Sequence, residues 1–181
     1  LEYHQGKNSG KVFLPLMNPT TVKRTPVLMA RIEGGIINSY NKYKRSPFGT
    51  YYMGGDMMSG SMGNYMNETI GLRGYKNGSI AGANYDYAYS YMKASLELRY
   101  PLIFEQSTTV WVLGFAEAGN AWSDISRYNP FDLKRSAGVG VRVMMPMIGL
   151  LGLDWGYGFD RPNGYNERGG SNIHFVLGRD L

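Results

Sequence analysis

Polar and apolar residues alternate with period two over several stretches, which predicts β-strands with two chemically distinct faces. In YMKASLELRY (91–100), Met92, Ala94, Leu96, Leu98 and Tyr100 share one face; Tyr91, Lys93, Ser95, Glu97 and Arg99 share the other. In LLGLDWGYGFD (150–160), Leu151, Leu153, Trp155, Tyr157 and Phe159 oppose Gly152, Asp154, Gly156, Gly158 and Asp160. In RSAGVGVRVMM (135–145), Ala137, Val139, Val141, Val143 and Met145 oppose Ser136, Gly138, Gly140, Arg142 and Met144. VLMARIEGGII (27–37) sets Leu28, Ala30, Ile32 and Ile36 against Arg31 and Glu33, and SNIHFVLGRDL (171–181) sets Ile173, Phe175 and Leu177 against Asn172, His174 and Gly178. TTVWVLGFAEAGNAW (108–122) is ambiguous, because Glu117 falls in parity with Trp111, Leu113 and Phe115. Either a bulge resets that parity or the polar side carries aromatics that pack on something.

These six strands, with a shorter fragment near KVFLPL (11–16), are joined by connections of alternating length. FEQS, MIGL and NPTTVKRTP are compact, whereas the connection across 38–90 is very long and SDISRYNPFDLK and RPNGYNERGG are intermediate. That pattern predicts an all-β, antiparallel up-and-down meander of about six to seven strands, each long enough to cross a bilayer at a barrel's tilt. The opening LEYHQGKNSG reads as the tail of a strand running into a turn, so residues 1–181 are expected to be the C-terminal part of a longer protein. Two architectures share the pattern: a soluble sandwich with one wet face, and a transmembrane β-barrel. The Gly- and charge-rich face of 152–158, and aromatics such as Tyr100, Trp155 and Tyr157 on the apolar face, favour the barrel, with lipid outside and water or a plug inside.

Composition narrows the chemistry. Gly accounts for 25 of 181 residues and Tyr for 15. No apolar run approaches the ~18 residues of a spanning helix. Cys is absent, which excludes disulfides and Cys-based metal sites, and nothing in the sequence suggests a cofactor or a metal. The Met-rich DMMSGSM reads as loop packing rather than a copper site. The net charge of +5 is dispersed, with VKRT and KYKR the densest basic patches, so no nucleic-acid partner is expected. A hydrolase would need a nucleophile and a base on one wall; His4 and His174 lie at opposite ends of the chain, without a catalytic pattern around them. Glu97 and Glu117 resemble a paired-carboxylate site, but a nearby Arg would keep both ionised and spoil the general acid.

Within the long connection, Leu72-Arg73-Gly74-Tyr75 follows Gly71, with Gly54-Gly55 upstream. Together with ASLELRYP (94–101), FAEAGNAW (115–122), RSAGVGVRVMMPMIGLLGLDWGYGFD (135–160) and IHFVLGRDL (173–181), this segment resembles the barrel of the BamA family of outer-membrane assembly proteins. Its wording is nearest to members from Bacteroidota. The resemblance covers about residues 27–181, and Tyr75 stands where the family more often has Phe. It implies that the long extracellular loop folds back into the lumen and that Arg73 pairs with Glu97 and Glu117 on the inner wall, in a wet environment. It also implies that Ile173, Phe175, Leu177 and Gly178 belong to a closing strand at a weak seam, the lateral gate.

The function implied is folding and insertion of β-barrel proteins into the outer membrane without nucleotide hydrolysis, by a chain that is not an enzyme. The implied partners are nascent barrel clients, accessory assembly lipoproteins or surface partner proteins, and outer-membrane lipid. YNPFD and YDYAY are expected at the outer mouth, where aromatics meet headgroups or surface partners. A two-partner secretion translocase of the same superfamily and a passive porin are the alternatives.

Overall fold

The computed structural model describes residues 4–18, 24–39, 49–56, 68–81, 87–105, 108–147 and 149–178. Seven strands form one antiparallel sheet: β1 (His4–Pro15), β2 (Val27–Asn38), β5 (Ser90–Phe104), β6 (Thr109–Trp122), β7 (Lys134–Met145), β8 (Gly149–Gly158) and β9 (Gly170–Leu177). They pair in that order, each with its successor in the meander, so β1 and β9 are the two edges. The short β3 (Tyr51–Met53) and β4 (Glu68–Ile70) make a separate parallel pair within the long connection between β2 and β5. KYKR, DMMSGSM after Asp56 and the first two residues of YDYAY lie outside the described residues, as does the end of the chain after Gly178.

Parity of burial runs through β2 and β5 to β9, whereas β1 is exposed along its whole length. Val139 and Ile173 are 58% and 66% exposed, whereas Glu97, Arg142 and Asp154, on the opposite face, are wholly buried. An exposed band of Ile32, Leu96, Leu98, Leu153, Trp155 and Phe175 continues across the sheet. An apolar exterior over a charged interior is the arrangement of a transmembrane barrel wall, and it rules out a water-facing sandwich face.

Two expectations need correction, and one open alternative is decided. The opening residues do not turn. His4 to Pro15 run as one strand in register with β2, from His4 opposite Asn38 to Pro15 opposite Val27. A continuous ladder there outweighs the turn preference of Gly6, Asn8 and Gly10. In β6, Glu117 needs no bulge to face inward, because Leu113 and Phe115 are buried on that same inner face. The register irregularity lies elsewhere, between Pro101 and Ile103 of β5, where proline brings no amide to the ladder. Finally, the closing strand stops at Leu177. Gly178 follows it with φ +72°, a left-handed conformation that ends the pleat, and its amide donates to the Leu150 carbonyl at 2.7 Å.

Candidate functional site

The long connection packs against the inner face of the sheet, and local chemistry explains how. Gly54 and Gly55 both take positive φ, turning the chain so that Gly55 and Leu72 exchange backbone hydrogen bonds at 3.1 Å each way. Tyr51, Met53, Ile70, Leu72, Tyr75 and Ile80 then form one buried cluster with Ile37, Tyr91 and Ala121 of the wall. Tyr51 and Tyr91 meet edge-to-face at 4.6 Å, beside a recess left by the missing side chain of Gly35. At the root of this plug, Gln5 of β1 donates to Glu68 at 2.9 Å, and Lys7 forms an ion pair with the same carboxylate.

At the tip, Leu72, Arg73 and Tyr75 are wholly buried, and Gly71 and Gly74 are buried with them. The Arg73 guanidinium donates through Nη2 to Glu97 of β5 at 2.5 Å and to Glu117 of β6 at 2.8 Å. Through Nη1 it donates to Asp154 of β8 at 3.2 Å. Its backbone amide reaches the other Glu117 oxygen at 2.9 Å, and its plane lies 3.7 Å from the centre of the Phe115 ring. The polar parity of the inner face is thus explained, and so is its aromatic exception: Phe115 is the platform on which the guanidinium rests.

Each carboxylate has a second cation. Arg99 grips Glu97 through Nε at 2.8 Å and Nη2 at 2.6 Å. Lys93 lies 3.2 Å from Glu117, whose oxygen also accepts from Ser95 at 3.2 Å. Arg142 of β7 holds both oxygens of Asp154, at 2.5 and 2.7 Å. Three carboxylates therefore face four cations, Arg73, Lys93, Arg99 and Arg142, in a cluster whose Arg73, Glu97, Glu117 and Asp154 side chains are shut off from solvent. Such a cluster is held by directed, charge-assisted hydrogen bonds, since desolvation would otherwise outweigh the attraction. The expectation of a wet environment for the pair is overturned: the plug itself excludes water.

Beyond Arg73 the turn reaches two further strands. Gly74 has φ +84° and sits against the backbone of Tyr157 and Gly158. Its amide donates to His174 Nε2 at 2.9 Å, and its carbonyl accepts from Asn172 Nδ2 at 3.0 Å, both on β9. The Tyr75 hydroxyl donates to the Arg135 carbonyl at 2.7 Å and accepts from the Asp160 amide at 3.3 Å. At the rim, Arg135 also holds the Asp160 carboxyl below the usual carboxylate range through two side-chain hydrogen bonds.

Burial pushes the Tyr75 phenol up to about 12, against the opposing hydrogen bond from the Asp160 amide. Because the folded value lies above the ordinary ~10, the contribution of this phenol is complete below that pH and is lost as pH rises toward 12. Tyr75→Phe is expected to cost about 1 kcal/mol through the lost hydrogen bond and to abolish this alkaline sensitivity. A thermal unfolding series from pH 9 to pH 12 on both proteins checks it; parallel curves would count against the assignment.

Asp154, Arg142, His174 and Asn172 were not singled out from sequence as partners of the loop. Their signal was inner-face parity, which marks them as inward but not as neighbours of Arg73. Within the described residues, no cluster of His, Asp and Glu is arranged to hold a metal.

The Omp85 superfamily domain matches residues 2–181. The chain belongs to the Omp85 superfamily. Its fold is similar to that in the crystal structure of BamA from Haemophilus ducreyi lacking POTRA domains 1-3, with a TM-score of 0.65 at 20% sequence identity. The match covers 96% of this chain and 34% of that one, so this Omp85 chain spans about a third of the protein it resembles. No curated protein matches it in sequence.

Proposed function

We propose that this Omp85 chain is the C-terminal part of the barrel of an outer-membrane assembly factor. In this reading it folds and inserts nascent β-barrel proteins through a lateral gate, consumes no nucleotide and is not an enzyme. The observation that carries the reading is the seated loop in an Omp85 barrel wall: Arg73 fixed among Glu97, Glu117 and Asp154. A lumen filled by a clamped plug suits a barrel that works at its seam better than one that conducts through its centre, which argues against a passive porin. The edge strand β9 has eight residues, and its exposed Ile173, Phe175 and Leu177 lie on the lipid side. A short strand with free backbone groups can pair with an incoming strand, the mode by which sheet edges template new β-structure.

The partners in this reading are unfolded barrel clients, accessory lipoproteins or surface proteins, and outer-membrane lipid at the exposed band. The test uses the full-length protein in liposomes with an unfolded barrel client. Paired cysteines are placed across the seam, between β9 and the first barrel strand; residues 1–181 contain no Cys and add no background of their own. Oxidation is expected to stop client insertion, and reduction to restore it. Insertion that continues with the seam locked would overturn the gate. Export of one dedicated soluble client through the locked barrel would establish the secretion translocase instead.

A further inference from the structure

Among the described strands, β9 has one sheet neighbour. β9 pairs with β8 from Leu151–Leu177 to Gly158–Gly170, and its other edge pairs with no described strand. A second restraint comes from within the barrel. Asp154 pairs in register with His174 and Gly156 with Asn172, so the two β9 side chains stand next to the point where the plug crosses β8. There Gly156 leaves no room for a side chain, since a Cβ would lie 2.7 Å from the Gly74 amide nitrogen. The Gly74 backbone thus lies close against β8, and both its polar groups are taken by β9: N–H by His174 Nε2 and C=O by Asn172 Nδ2. His174 is buried, and Asn172 is braced by a bond to the Gly169 carbonyl at 2.9 Å.

We propose that His174 and Asn172 are positioning residues that latch the seam strand β9 to the Gly74 peptide, so that β9 is fully held only while the plug is seated. The inference rests on the proposed gate for its role in insertion, but the latch itself is measured independently of any client. Its chemistry is specific. Nε2 accepts the Gly74 hydrogen, so the imidazole must be unprotonated there; protonation would set a donor against a donor. The charges around the ring are Asp154 from β8, Glu117 from β6, and Asp56 and Arg73 from the plug, with Arg142 of β7 bound to Asp154. Protonation at Nε2 would remove the acceptor, so the latch is expected to loosen on acidification.

Amide hydrogen exchange of β9 in the full-length protein, held in lipid vesicles, tests the proposal. His174→Phe, which keeps a buried ring and removes the acceptor, is expected to speed β9 exchange by about three- to tenfold. His174→Gln, whose amide oxygen can accept the same hydrogen, is expected to stay close to the parent, and Asn172→Ala to fall between. As pH falls from about 7.5, after correction for intrinsic rates, exchange should rise in the parent and stay flat in His174→Gln. A retained heat-modifiable band shows that each variant is folded. If His174→Phe exchanges like the parent, if His174→Gln is as labile as His174→Phe, or if the acid response persists in His174→Gln, the latch is wrong. A functional latch in a protein that inserts no client would instead overturn the gate reading alone.

Discussion

Replacing Arg73 by Ala leaves a barrel that assembles but unfolds at a lower temperature, with a loss of about 3–5 kcal/mol. The magnitude follows from what stays behind. Glu97, Glu117 and Asp154 would face one another in a dry interior with Arg99, Lys93 and Arg142 still attached, but without the cation that joins the three pairs. Truncating one member of a buried charge cluster costs more than the cluster contributes to stability, because the carboxylate oxygens that Arg73 served lose charge-assisted hydrogen bonds that water cannot replace. Arg73→Lys should recover little, since an ammonium cannot present the planar fork that spans three carboxylates while resting on Phe115. The measurement is the temperature at which the folded, faster-migrating band converts to the unfolded one on gels. An unshifted transition in Arg73→Ala would show that the cluster carries no stability.

Gly74→Ala is expected to unseat the plug although it adds one carbon. At φ +84° a side chain is strained, at a cost of about 1–2 kcal/mol. The new Cβ would also lie 2.8 Å from the Tyr157 carbonyl carbon and 2.9 Å from the Gly158 nitrogen, atoms of a strand that cannot move aside. Adding overpacking of similar size brings the total to about 3 kcal/mol. Limited proteolysis within 68–81, which is expected to be faster in the variant than in the parent, reads the seating directly. The double variant Arg73→Ala, Gly74→Ala should cost clearly less than the sum of the two, because both release the same unit. Additive losses would mean that turn and guanidinium act separately.

The wall was legible in the sequence because period-two alternation is a local property. Parity alone placed Lys93, Glu97, Arg142, Asp154 and His174 on one side, and the structure puts them on the inner face. How the loop lies across that wall is not local. Arg73 contacts Asp154 and Gly74 contacts His174 across separations of 81 and 100 residues, and no periodicity encodes such a register. Only the family resemblance brought Glu97 and Glu117 to Arg73, and it did not extend to Asp154 or β9. β3 and β4 were illegible for another reason: each has three residues, too few to show a period, and they are set by burial of Tyr51, Met53 and Ile70. In β6, one strand carries both the platform and the anion, so Phe115 and Glu117 share a face that neither a greasy nor a polar rule describes.

All the polar partners of Arg73, Gly74 and Tyr75 described above, from Glu97 to His174, come later in the chain than the turn they hold. A polypeptide delivered from its amino end presents this guanidinium before any of its anions exist in place. Docking must wait until β9 has arrived, which makes it a late event in the maturation of this wall and a built-in check that the chain has been delivered as far as β9.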